Sequence, residues 1–126
     1  MAPDLETLGS TEYVALTTFR QDGTAVPTPV WVARSGAELL VWTVRDAGKV
    51  KRLRRNPAVL VAVCDFRGKV TGAAAAGTAR VLDADATERA RTTIAKEYGI
   101  KGRLVMTASK LRRGRDGTVG IAITLG

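Results

Sequence analysis

The 126-residue chain contains no histidine. That excludes a Ser-His-Asp triad, a Cys-His pair and histidine-ligated zinc. It contains one cysteine, Cys64, so no internal disulfide can form. With one thiol and no imidazole, a transition-metal site lacks its usual ligands. Cys64 ends the apolar run AVLVAVC. A small thiol there is expected to pack as a core hydrophobe, and the run offers no basic partner to make it a thiolate. Aromatic residues are 5% of the chain, few for the stacking on which single-stranded nucleic-acid binding relies. No apolar run approaches the roughly 20 residues that a bilayer-spanning helix needs. The N-terminal MAPDLETLGS is acidic and lacks a signal-peptide core, so a soluble cytoplasmic protein is expected. These absences leave little protein-borne chemistry and point to a bound organic cofactor.

The composition, 45% hydrophobic and 25% charged, is that of a globular chain, and the length suits a single domain spanning 1–126. The net charge is +8. It comes from two clusters. Arg45, Lys49, Lys51, Arg52, Arg54 and Arg55 stand with one acidic residue, Asp46. Lys101, Arg103, Lys110, Arg112, Arg113 and Arg115 stand with Asp116. The expected partner is anionic: nucleic acid, or a phosphorylated or carboxylated small molecule.

Periodicity orders the chain. YVALTTFRQDGTAVPTPVWVA reads as a β-hairpin about Asp22-Gly23. Pro27 and Pro29 share one side of its return strand and each removes a backbone donor, so that strand is expected at an edge or bulge. ELLVWT is a third strand. In DAGKVKRLRR, Ala47, Val50 and Leu53 fit a short amphipathic helix with Asp46 as N-cap, ended by Asn56-Pro57. AVLVAVC reads as a fully buried strand, and KVTGAAAAGTARVLD as one long strand whose small residues admit another backbone. DATERARTTIAKEYG is a helix with Asp85 and Glu88 in capping-box spacing and a stop at Gly99. TVGIAITL closes the chain as a strand. The expected fold is mostly β (α+β): a small barrel or curved sheet of about six strands, largely antiparallel, with one short and one longer helix.

The basic segment admits three meanings: a nucleic-acid patch, a solvated helix face, or a phosphate cradle. No aromatic interrupts Arg45 to Arg55, which counts against nucleic acid. A cradle has the right parts. Thr43 ends a strand, Gly48 opens a helix whose free N–H groups favour an anion, and Lys49 and Arg52 share one helical face. Lys51 and Arg55 share another.

The order of these parts carries a resemblance. A DG hairpin leads to PTPVW, then LLVWT, a KVKRL helix, NPAVLVAV and a strand ending GTARVLD. This resembles the pyridoxamine-phosphate-oxidase-like (FMN-binding) split β-barrel superfamily over roughly Leu8 to Gly99. In particular it is similar to the small actinobacterial members described as coenzyme F-420 (deazaflavin)-dependent oxidoreductases. The resemblance implies a six-stranded antiparallel split barrel, a homodimer with cofactor sites at the interface, and hydride transfer between the cofactor and a small unsaturated organic substrate. It implies cofactor contacts from Thr43, Gly48, Lys49, Lys51 and Arg52, with Pro27, Thr28, Pro29, Val30 and Trp31 lining the ring. Trp42 is expected in the core. DAGKVKR stands where the oxidase proper has an SRK triplet, and the oxidase's extended C-terminal substrate region is not seen. Both favour F-420 over FMN and argue against pyridoxamine phosphate as substrate. The cluster Lys110 to Arg115 is available to the glutamate tail of F-420. An FMN-binding protein of this fold and a basic nucleic-acid-binding module without enzymatic activity remain as alternatives.

Overall fold

Alternation of residue type decides which side of each strand turns inward. In β1 (Tyr13–Phe19), Val14, Leu16 and Thr18 are buried. Their register partners on β2 (Ala25–Ser35) are Val30, Thr28 and Val26. In β3 (Glu38–Val44) the inward set is Leu39, Val41 and Thr43, and β6 (Thr118–Leu125) supplies Ile123, Ile121 and Val119 opposite them. Val59 and Val61 of β4 (Ala58–Val63) join this interior, with Ala75 and Ala79 of β5 (Ala75–Val81). The strands close an antiparallel barrel in the order β1-β2-β3-β6-β5-β4. This is the expected six-stranded architecture. The computed structural model describes residues 3–44, 47–113 and 117–126, and of Tyr98, Ile100 and residues 101–113 the backbone alone.

Two short helices plug the barrel ends. α1 (Leu5–Gly9) buries Leu8 completely in the interior cluster. Its Asp4 N-cap accepts the Thr7 N–H at 2.8 Å, which satisfies one free donor of the first turn. α2 (Gly48–Arg55) inserts Leu53 into the same interior cluster from the other end and also buries Val50. Each such side chain, fully buried, contributes about 1.5–3 kcal/mol. α3 (Ala84–Arg113) lies outside, where Ala90 and Ile94 pack on Ala33, Leu40 and Ala122, with Trp31 and Trp42 beside them.

The barrel is incomplete along one seam. β2 pairs with β3 only from Val32 to Ser35, whereas its first half pairs with β1 alone. Pro27 and Pro29 fall in that half, as their missing donors require. β2 and β3 therefore part just above the Val32–Val41 pair, which splits the barrel beside α2.

Several sequence expectations change. α2 is capped by Ala47, whose methyl accepts no hydrogen bond; Asp46 lies outside the described residues. α3 is started by Asp83, whose Oδ1 accepts the Ala86 N–H at 2.8 Å, not by Asp85. Gly99 breaks the helical path (φ 60, ψ −137), but the chain resumes helix beyond it. β4 is not buried throughout: on its outward face Ala62 is buried, but Leu60 is half-buried and Ala58 exposed. The predicted long strand from Lys69 is interrupted. Val70 makes an isolated bridge with Cys64, and regular pairing starts only at Ala75. The expectation of close backbone approach holds at Gly77, where a Cβ would lie 2.8 Å from the Thr124 carbonyl oxygen.

Candidate functional site

The inward files of β1 and β3 end in hydroxyls rather than methyls. Thr18 is fully buried and Thr43 is 9% exposed. Buried hydroxyls need hydrogen-bond partners, and both find a cation on α2. Lys49 Nζ donates to Thr43 Oγ1 at 3.0 Å, and Arg52 Nε donates to Thr18 Oγ1 at 2.6 Å. Val50 and Leu53 bury the adjoining side of the helix and set its rotation. The three- and four-residue spacing of a helix then places Lys49 and Arg52 together at the barrel mouth.

The electrostatics are one-sided. Burial, then repulsion from Arg52, lowers the Lys49 pKa. Burial, then Arg20 and Arg55, lowers that of Arg52, which nevertheless stays charged. Among the described residues, neither Lys49 nor Arg52 has a carboxylate partner. The N–H groups of Gly48 and Lys49 open the first turn with no backbone acceptor among those residues, whereas Ala47 and Val50 have theirs. A Cβ on Gly48 would lie 2.8 Å from Arg52 Nη1, so the absence of a side chain there lets the guanidinium cross the helix start. An ammonium, a guanidinium fork and two open N–H groups fit one phosphoryl group.

The structure thus brings Thr43, Gly48, Lys49 and Arg52 together. Lys51 is exposed and forms no side-chain bond among the described residues. Pro27 to Trp31 form the facing wall of the split, but alternation divides them. Thr28 and Val30 turn inward, with Val30 buried, while Pro27, Pro29 and Trp31 turn outward. Trp31 and Trp42 are half-buried and pack against the second cluster beneath α3, so Trp42 borders that core where the sequence expected it inside. Cys64 is buried, and burial followed by Asp65 raises its pKa, so it is an inert thiol. The side chains of the second basic cluster, Lys110 to Arg115, lie outside the described residues. Thr18 and Arg20 were not anticipated. The available signal was a hydroxyl on the Val14–Leu16 face, where a methyl would have completed the core.

Similar folds occur among solved structures. An F420 reductase is 20% identical, with 100% of this chain and 96% of that one covered at a TM-score of 0.64. The FAD and heme binding protein of Mycobacterium smegmatis is 21% identical, with 98% and 64% covered at 0.65. HutZ, the heme storage protein of Vibrio cholerae, is 14% identical, with 96% and 86% covered at 0.69. At these identities the likeness concerns the fold alone. No curated protein matches. A family model described as pyridoxamine 5'-phosphate oxidase matches residues 5–124, nearly the whole barrel with its plugs and outer helix, and the chain belongs to that family.

Proposed function

We propose that the chain is a deazaflavin-dependent oxidoreductase acting with coenzyme F-420 on a small unsaturated organic substrate. The observation that carries this is the Lys49–Arg52 pair, tied to Thr43 and Thr18 at the barrel mouth without a carboxylate partner among the described residues. It suits a cofactor held by its phosphate. DAGKVKR in place of SRK favours the deazaflavin over FMN, as does the F420 reductase alike over the whole chain. Heme is disfavoured because the chain has no histidine to supply the usual axial ligand.

When bound, the cofactor supplies hydride transfer on its ring. The chain's own work is binding, orientation and exclusion of water. Lys49 and Arg52 hold the phosphate, and the Gly48 and Lys49 N–H groups complete its contacts. The β2 wall from Pro27 to Trp31 positions the ring in the split. A homodimer with the site between subunits belongs to the same proposal. Phe66 and Val70, 65% and 49% exposed, are the large apolar side chains that a second subunit would cover.

Titration with both cofactors tests this. Micromolar protein is expected to quench F-420 fluorescence and to leave FMN unaffected, with light scattering reporting a dimer. Preference for FMN would make the chain a flavin-binding member of the family. Binding of neither would leave only a basic binding module, and nucleic acid would be tested next.

The affinity should also depend on pH. The anion favours the Lys49 ammonium, so binding takes up a proton, and affinity falls as pH rises through the lysine pKa. Because burial lowers that pKa, the fall begins at lower pH than for an ordinary lysine. Lys49→Arg should remove it between pH 7 and 10. An unchanged pH profile in that variant would assign the fall to another group.

A further inference from the structure

Thr43, Gly48, Lys49 and Arg52 of the anion site lie on β3 and α2. β1 enters neither the phosphate cradle read from the sequence nor the contacts implied by the family resemblance. Yet the fully buried Thr18 hydroxyl ends the file of Val14 and Leu16, and it accepts Arg52 Nε at 2.6 Å. That bond holds the guanidinium at the base of its fork. The Nη1 end lies over the first turn of α2, 2.8 Å from where a Gly48 side chain would begin. Among the described residues, Nη1 and Nη2 have no acceptor.

We infer that Thr18 is a positioning residue of the anion site. Its hydroxyl occupies Arg52 Nε, so that the free Nη1–Nη2 edge, with the Lys49 ammonium and the open N–H groups of Gly48 and Lys49, takes two oxygens of one phosphoryl group. Without that hydroxyl the arginine has many rotamers toward solvent, and ordering it would have to come from ligand binding. Arg20, two residues further along the same strand, adds charge beside Arg52 but no direct bond to it. The inference rests on the proposed phosphate site and does not depend on which cofactor carries the phosphate.

Inorganic phosphate is therefore the probe, titrated into the full chain and followed through the ¹⁵N–¹H signals of the Gly48 and Lys49 amides and Arg52 Nε. Saturable shifts are expected in the parent protein. Thr18→Ser should bind within about twofold of it, and Thr18→Val about tenfold more weakly. In an Arg52→Gln background, Thr18→Val should cost nothing further, because the two residues act as one unit. Arg52→Lys serves if Thr18→Val does not fold. It keeps the charge, loses the fork, and should also bind about tenfold more weakly. Undiminished binding by Thr18→Val, or an equal loss with and without Arg52, overturns the positioning role. Absence of phosphate shifts at Gly48 and Lys49 in the parent overturns it together with the site. The expected phosphate pattern without F-420 or FMN binding upholds the inference and sinks only the cofactor assignment.

Discussion

Lys49→Ala is expected to weaken cofactor binding by about 10- to 100-fold, which corresponds to one charge-assisted hydrogen bond of about 1.5–3 kcal/mol. Arg54→Ala should change affinity by less than about twofold, since its exposed side chain forms no bond among the described residues. The difference arises from position, as both are cations on the same eight-residue helix. Lys49 is half-buried and held on Thr43, whereas the Arg54 charge is screened by solvent and salt within about 8–10 Å. Lys49→Ala should leave the melting temperature nearly unchanged, because its ammonium gains no carboxylate partner on folding and its burial lowers its pKa. The check is fluorescence titration of both variants beside thermal denaturation. Equal losses of affinity would mean a diffuse positive field and no cradle.

Leu53→Ala should do the opposite kind of damage. Leu53 is 4% exposed and belongs to the interior cluster that α2 closes. Truncation removes buried methyl groups and leaves a cavity at the barrel mouth, costing about 2–4 kcal/mol and roughly 10 °C in melting temperature. Affinity should fall too, since Lys49 and Arg52 are aimed by the helix that Leu53 anchors. Denaturant and thermal unfolding give the stability loss, and the cofactor titration gives the affinity loss. A melting temperature within about 2 °C of the parent would show that α2 does not plug the barrel. Together the two variants separate binding by the helix from its docking.

Much of the barrel was legible because strands declare themselves through period-2 alternation and turn chemistry. The Asp22-Gly23 hairpin, the edge prolines and the closing strand of Val119, Ile121 and Ile123 are all local signals. Where local signals were absent or ambiguous, the expectation slipped. α1 is only five residues long, too short for helical periodicity, and it exists because Leu8 fills the barrel end. The long alanine-rich strand failed because alanines carry little pattern, so Gly72 to Ala74 could leave the ladder unannounced. The caps shifted by one or two residues because capping depends on where the first turn meets the sheet.

The site divides in the same way. The helix start at Gly48, the Lys49–Arg52 spacing and the strand-end Thr43 are properties of neighbouring residues, and the sequence by itself determined them. It also determined, through the absence of histidine, that a Ser-His-Asp triad, a Cys-His pair and histidine-ligated zinc are not available to this chain. The separation of Lys49 from Lys51 was decided by tertiary structure, because burial of Val50 and Leu53 sets which side of the helix faces the mouth. The pairing of Arg52 with Thr18, 34 residues away, was decided there as well. No local rule relates those two positions. Only closure of the barrel brings the end of β1 beneath α2, and only burial of a hydroxyl there makes the arginine its partner.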